Sequence, residues 1–249
     1  MKKTIVILIL CCITSALYSQ NDSNNNEEPI SAWEFDVAPY VWLAGSSGTI
    51  SVLDQSANVD AKFKDILKNL KFGMFMHLEA KKGKWIVFGD LLYIAVEKSG
   101  NREIPNTNTN IELKQTLAEI GSGYNLITTL DDWLFIDALA GLRYFEIDNA
   151  IDVGPQQILD RTINVSDPFV GIRFRTVSDK WINGARIDVG GFGIGSNVSW
   201  KANLIVGYQF SELFSLSLGY QAYGIDYEKN NFRLDLVSSG LATGLNFHF

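Results

Sequence analysis

Apolar and polar side chains alternate along most of the chain. In the last stretch, from Ser239 to Phe249, one set of alternate positions is largely apolar and ends on two aromatic residues, while the other set is small or polar. A period of two predicts a β-strand with different environments on its two faces. A strand between lipid and water has this pattern, and the edge strand of a soluble sandwich has a similar one.

The same unit recurs down the chain and predicts ten strands. Short turns such as 82–84 and 178–180 alternate with longer polar loops at 101–110 and 148–165. An even number of antiparallel strands with this asymmetry is typical of a transmembrane up-and-down β-barrel with short periplasmic turns and longer outer loops. We therefore expect an all-β fold of about ten strands, with eight or twelve as alternatives.

The stretch from Gly45 to Lys71 is the least regular. Residues 48–52 and 58–63 suggest a small hairpin, and the spacing of apolar residues predicts a short amphipathic helix over 61–70. A plug or a cap is one interpretation, and we favour a surface excursion that packs its own apolar face. Just before this stretch, Pro39 cannot donate to the strand ladder, so we expect a bulge there.

Tryptophan recurs at the same edge of the predicted sheet. Trp33, Trp85, Trp133 and Trp181 each open a strand on the short-turn side, at spacings of 52, 48 and 48 residues. A soluble sandwich has no reason to repeat tryptophan at one rim, whereas a membrane barrel places aromatic residues at the lipid interface. We predict an interfacial girdle of Trp33, Trp85, Trp133, Trp181, Phe247 and Phe249.

The first residues indicate export. Two lysines precede an apolar run from Ile5 to Leu17, which predicts a signal peptide over residues 1–19. Cys11 and Cys12 suggest a lipoprotein signal, but Leu10 stands where such signals carry a small residue. Residues 20–31 are polar and predict a disordered tail, and residues 32–249 predict the barrel.

Charge and composition narrow the choice of partner and cofactor. The formal net charge of −7 becomes −9 without Lys2 and Lys3, and the sequence has no basic patch, which argues against nucleic acid. No later segment is apolar for long enough to predict a helical membrane span. The two histidines lack the spacing of a metal site, so we predict no metal and no cofactor.

Two segments, 38–45 (Ala-Pro-Tyr-Val-Trp-Leu-Ala-Gly) and 167–173 (Asp-Pro-Phe-Val-Gly-Ile-Arg), resemble uncharacterised small Gram-negative outer-membrane β-barrel proteins. The terminal Phe249, with Phe247 and Leu245 before it, resembles the C-terminal insertion signal of that group. The resemblance implies the cell outer membrane as location, its lipid as surroundings, and the barrel-assembly machinery as a partner of the last strand. It implies no substrate.

Charges of both signs share the predicted inner face. A narrow barrel must pair such charges because an isolated buried ion costs several kcal/mol. Ten strands leave an interior little wider than side chains fill. We therefore predict that arginines neutralise the acids in a structural ion-pair network. A narrow polar conduit or a small-ligand pocket is the alternative. The predicted lumen network is Glu34, Asp36, His77, Glu79, Asp90, Glu119, Asp137, Arg143, Arg173, Arg175, Arg186, Asp188 and Lys201.

Catalysis has little support in the sequence. His77 lies on the inner face near carboxylates, His248 lies at the periplasmic end, and no Gly-x-Ser-x-Gly motif occurs. We therefore predict a structural or interaction barrel that is not an enzyme. The alternative is a narrow passive channel for ions or small solutes, and an outer-membrane barrel enzyme is a weaker third interpretation.

Overall fold

A computed structural model describes residues 32–52, 55–101, 108–129, 133–153 and 156–249. The signal peptide predicted over 1–19 and the tail predicted over 20–31 lie outside the described residues. The described part forms one compact unit from Ala32 to Phe249.

Antiparallel strands in chain order build the whole of this unit. The last strand pairs with the first, for example Leu241 with Leu43, so the sheet closes on itself. The elements are β1 (Glu34–Val52), β2 (Gln55–Ala61), α1 (Phe63–Lys68), β3 (Leu70–Lys82), β4 (Trp85–Asn101), β5 (Asn108–Thr128), β6 (Leu134–Val153), β7 (Gln156–Ser178), β8 (Trp181–Gly190), β9 (Val198–Ser211), β10 (Phe214–Lys229) and β11 (Phe232–His248).

Two of the eleven strands share one place in the wall. The periplasmic part of β1, from Glu34 to Pro39, pairs with β3, and its outer part, from Ser46 to Val52, pairs with β2. Because β2 and β3 together occupy one position, the barrel has ten positions around its wall. The predicted all-β, up-and-down barrel of ten strands is confirmed.

The helix α1 interrupts the wall between these two strands. Its six residues fall inside the predicted range of 61–70, and none of its side chains is buried. A side chain added at Gly45, which is an outward position of β1, would meet Ala61 O and Phe63 N. The chain therefore leaves the wall on its outer surface, and the described residues of this segment do not plug the lumen.

The long outer loops are shorter than predicted. β6 runs to Val153 and β7 starts at Gln156, so most of the predicted loop 148–165 is a strand ladder. Likewise β4 runs to Asn101 and β5 starts at Asn108. The outward positions are no longer apolar where the strands leave lipid, but inward residues such as Ile163 and Val165 remain apolar and the hydrogen bonding continues. Residues 102–107 and 154–155 lie outside the described part.

The predicted bulge at Pro39 is wrong. Pairing with β11 is interrupted at Ala38 and Pro39 but resumes in the same register, since Val37 faces Phe247 and Tyr40 faces Gly244. Proline removes its own hydrogen bond here without inserting an extra residue.

The outer surface of the wall is apolar on every side. A soluble protein rarely exposes a contiguous apolar surface of this extent, whereas lipid requires one. Within the described residues no helix is long and apolar enough to cross a membrane. Exposed outward side chains include Val41, Met74, Leu78, Val87, Ile120, Leu142, Val170, Ile187, Leu204, Leu218 and Leu241.

Candidate functional site

Side chains fill the lumen in alternating charged and apolar layers. The inner face of β6 shows the order from the periplasmic end, which is Asp137, Leu139, Gly141, Arg143 and Phe145. The alternation of a strand carries each of these residues to the same face. Four groups of residues result, two charged and two apolar.

The lower charge cluster comprises Asp36, Glu79, Lys81, Asp137, Arg173 and Arg175. Asp137 is fully buried and accepts hydrogen bonds from Nε of Arg173 and of Arg175, both at 3.0 Å. Asn125 donates to its other oxygen at 2.9 Å. Arg173 also reaches Glu79, which pairs with Lys81 Nζ at 3.3 Å. The same ammonium contacts Asp36 at 2.6 Å, so the cluster extends to the periplasmic mouth.

The upper charge cluster comprises Asp90, Glu119, Arg143, Arg186, Asp188 and Lys201. Glu119 accepts from Arg143 Nε at 2.6 Å, from Arg186 Nη2 at 3.1 Å and from Lys201 Nζ at 3.2 Å. Arg143 Nη2 donates to Asp188 at 2.5 Å, and Arg186 Nε donates to the second oxygen of Asp188 at 2.8 Å. Two guanidinium groups thus bridge two carboxylates, a geometry that the planar fork of arginine favours.

His77 lies between the two charge clusters. Its Nδ1 is 3.4 Å from Asp90 Oδ2 in the upper cluster, and its Nε2 is 3.8 Å from Glu79 Oε2 in the lower one. Asp90 is held further by Tyr40, which donates at 2.8 Å, and by Lys201 Nζ at 3.2 Å. His77 thus lies within 4 Å of one carboxylate of each charge cluster.

Aromatic rings close around the buried guanidinium groups. Arg143 lies 5.0 Å from the ring centre of Phe169 and 5.3 Å from that of Tyr223. Arg186 lies 5.0 Å from the ring centre of Phe88 and 5.3 Å from that of Phe169. Such cation–π contacts stabilise a cation that has lost its water. The middle apolar cluster, which supplies two of these rings, is Ile86, Phe88, Leu139 and Phe169.

Two facing glycines provide room for these rings. Gly121 and Gly141 lie opposite each other on β5 and β6. A side chain at Gly121 would come within 2.4 Å of the Phe88 ring, and one at Gly141 would come within 2.7 Å of the Phe169 ring. Larger residues at these inward positions would displace the middle apolar cluster.

The outer half of the lumen is apolar. The loop between β8 and β9 also docks inward there, because Ser196 donates from its backbone N to Asp167 Oδ1 at 2.7 Å and from its hydroxyl to Oδ2 at 2.6 Å. The outer apolar cluster is Trp42, Ala44, Leu92, Leu117, Phe145, Ile147, Ile163, Val165, Tyr223, Ile225, Phe232, Leu234 and Leu236.

Most of the predicted lumen residues lie in the two charge clusters, with Asp36 at the periplasmic end. Glu34 is exposed and has no ion pair in the described part of the chain. Asp90 is paired by Lys201 rather than by an arginine. Lys81 and Asp167 were missed, although both occupy inward positions in the phase of the strand alternation. Glu79 and Arg173, which lie an even number of residues away on the same strands, were predicted to face inward, and the same alternation places Lys81 and Asp167 on that face.

The predicted interfacial aromatics all have exposed side chains. Trp33, Trp85, Trp133 and Trp181 lie at the short-turn ends of their strands. Trp85 packs edge-on against Tyr124 with ring centres 4.9 Å apart, and Trp181 packs against Tyr208 at 5.1 Å. Phe247 and Phe249 are exposed at the same end. Among the described residues, no group of histidine, cysteine and acidic side chains has the arrangement of a metal site.

Comparison with solved structures identifies barrels. The outer membrane protease OmpT from Escherichia coli aligns with a TM-score of 0.57 at 8% identity, covering 90% of this chain and 99% of its own. The NalP translocator domain from Neisseria meningitidis aligns with a TM-score of 0.39 at 10% identity, covering 99% and 96%. Ail of Yersinia pestis aligns with a TM-score of 0.38 at 10% identity, covering 87% of this chain and 98% of its own. No family model and no curated protein matches the chain.

Only the OmpT likeness is close enough to support a conclusion, and at this identity it supports the fold alone. The membrane location follows from the barrel itself. Bacterial proteins cross the outer membrane as closed, up-and-down barrels that have an even number of strands and an apolar exterior. The chain is an outer-membrane β-barrel protein of the Gram-negative type.

Proposed function

We propose that this barrel is a closed membrane element with a structural or interaction role and that its lumen does not conduct. The observation that carries the proposal is the burial of Arg143, whose side chain is fully enclosed at mid-lumen between Glu119 and Asp188. A water-filled pore would leave such a side chain solvated. Here carboxylates and aromatic rings take the place of water.

The balance of charge supports the same proposal. The network pairs six carboxylates with six ammonium or guanidinium groups, so it needs no mobile counter-ions. Apolar clusters lie on both sides of the upper charge cluster, and an ion passing through them would lose its hydration. The alternative, a narrow passive channel, requires the outer apolar cluster to open.

We propose that the two charge clusters, apart from Asp36 at the periplasmic mouth, have no catalytic role. OmpT is a protease, but a shared fold does not imply a shared activity. Both histidines of this chain lie away from the outer rim, with His77 at mid-lumen and His248 at the end of β11. Each clustered carboxylate is held in an ion pair by at least one lysine or arginine side chain.

Two surfaces of such a barrel are available for binding partners. The ladders of β5, β6 and β7 continue beyond the apolar belt on the outer side, and we propose that this extension meets extracellular partners. At the other end, Phe249 exchanges backbone hydrogen bonds with Phe35 at 2.9 and 3.0 Å. We propose that the barrel-assembly machinery binds this last strand before β1 replaces it.

Swelling of proteoliposomes tests whether the lumen is closed. Vesicles containing the refolded barrel are diluted into isotonic arabinose, and their turbidity is followed against vesicles containing a general porin. We expect no swelling above that of protein-free vesicles. Swelling at a rate that rises with the amount of barrel would instead establish the channel.

A further inference from the structure

Three side chains at the periplasmic mouth form a hydrogen-bonded relay. Ser215 Oγ lies 2.9 Å from His248 Nε2, and His248 Nδ1 lies 2.5 Å from Asp36 Oδ1. With Nδ1 protonated, the imidazole donates to the carboxylate and accepts the serine proton at Nε2. This is the order of atoms in a serine nucleophile, a general base and an orienting acid.

Barrel closure brings the three residues together. Ser215 lies near the start of β10, His248 ends β11 and Asp36 lies near the start of β1, so three neighbouring strands supply one residue each. All three point inward in the alternation of their strands. The backbone N of His248 is fixed by Leu213 O at 3.1 Å, and Asp36 is held from its other oxygen by Lys81 at 2.6 Å. The relay is thus rigidly supported, as catalytic groups require.

We propose that Ser215, His248 and Asp36 form a hydrolytic site for small carboxylic esters that arrive from the periplasm. Ser215 Oγ attacks the ester carbonyl carbon while its proton passes to His248 Nε2. The intermediate collapses, the bond between the carbonyl carbon and the alkoxy oxygen breaks, and His248 protonates the departing alcohol. A water molecule then attacks the acyl-serine by the same route, releasing the acid and restoring Ser215.

A donor for the developing oxyanion lies beside the nucleophile. Asn246 is directly opposite Ser215 in the sheet, and its Nδ2 is 3.1 Å from Ser215 Oγ. Side-chain amides serve as oxyanion donors in acyl transfer. When the ester carbonyl binds at Ser215, this amide is placed to turn from the hydroxyl to the carbonyl oxygen.

Burial restricts the substrate. Ser215 is only 2% exposed, whereas the side chains of His248 and Asp36 are 26% and 19% exposed. Water reaches the base more readily than a bulky group reaches the nucleophile. The site therefore fits a short acyl group, such as acetyl, better than a fatty acyl chain. It lies at the periplasmic end of the lower charge cluster, to which Asp36 belongs, so its activity is independent of whether the lumen conducts.

Labelling with a small fluorophosphonate tests the nucleophile. The folded barrel is treated with the probe in detergent, and the adduct is located by mass spectrometry of the peptides. We expect one adduct, on Ser215, and turnover of p-nitrophenyl acetate by the same preparation. Ser215→Ala removes both, and loss of a triad member lowers kcat by about 10⁴-fold or more.

The matched control is Ser217→Ala. Ser217 is the next inward residue of β10 and donates to Gly244 O at 3.2 Å, whereas His248 is hydrogen-bonded to Ser215 and Asp36. This variant keeps the labelling, and Asn246→Ala keeps the labelling but lowers turnover by about 10²-fold. The heat-dependent gel shift verifies that each variant is folded. No adduct on the folded barrel, or equal turnover by Ser215→Ala, would overturn the assignment.

Discussion

Replacing Arg143 by methionine tests the upper charge cluster. The residue is 1% exposed and pairs with Glu119 and Asp188. Methionine fills similar space but leaves Asp188 with Arg186 alone, and Glu119 with Arg186 and Lys201. Removing one partner of a buried ion pair lowers the free energy of unfolding by about 3–5 kcal/mol. Because Arg186 and Lys201 still neutralise the two carboxylates, we expect a loss at the lower end of this range.

A loss of about 3 kcal/mol corresponds to a fall of roughly 6–12 °C in unfolding temperature for a chain of this size. The assay is the temperature at which the compact gel band disappears in a detergent suspension. Arg233→Met is the control, because that side chain is 52% exposed and lies 3.6 Å from Asp226. We expect a shift of less than about 1 kcal/mol in its stability. Equal stability of the two variants would refute the burial of the upper charge cluster.

Three further predictions concern facing, packing and assembly. Cysteine at Leu204 should react only with lipid-soluble reagents. Cysteine at Asn230 in the outer β10–β11 turn should be labelled on intact cells, whereas cysteine at Lys84 should be labelled only after the outer membrane is opened. Labelling of Lys84 but not Asn230 on intact cells would show that the topology is inverted. Gly141→Leu should lower the gel-shift temperature, because its side chain meets Phe169 and the backbone of β5, and an unchanged temperature would contradict the packing. Deleting Phe249 should reduce the amount of folded barrel in the outer membrane, since the Phe35 hydrogen bonds are lost; unchanged amounts would exclude this role.

The alternation of apolar and polar residues predicted the strands and the side of the wall on which each residue lies. It assigned Asp137, Arg143 and Arg173 to one face, because alternation needs no knowledge of which strands are neighbours. It failed above the apolar belt, where residues 148–153 and 156–165 form a ladder although outward positions such as Thr162 and Asn164 are polar. Backbone hydrogen bonds hold the strands together there although their outward side chains carry no apolar signal.

Contacts that depend on closure were beyond sequence reasoning. Asp36 and His248 are 212 residues apart, and only the pairing of β1 with β11 makes them neighbours. The choice of Lys201 for Asp90 likewise depends on the width of the lumen. Residue type and phase indicate that charges must pair, but the diameter and tilt of the barrel decide which of them meet.

Single-channel recording in a planar bilayer tests the closed lumen most directly. The refolded barrel is inserted at high salt and observed over a range of voltages, with a porin inserted under the same conditions to verify the method. The filled layers around Arg143 predict that insertion gives no discrete conductance steps. Regular open-channel steps, with an ion selectivity that changes in Lys201→Met, would contradict the closed lumen and establish a hydrated pore.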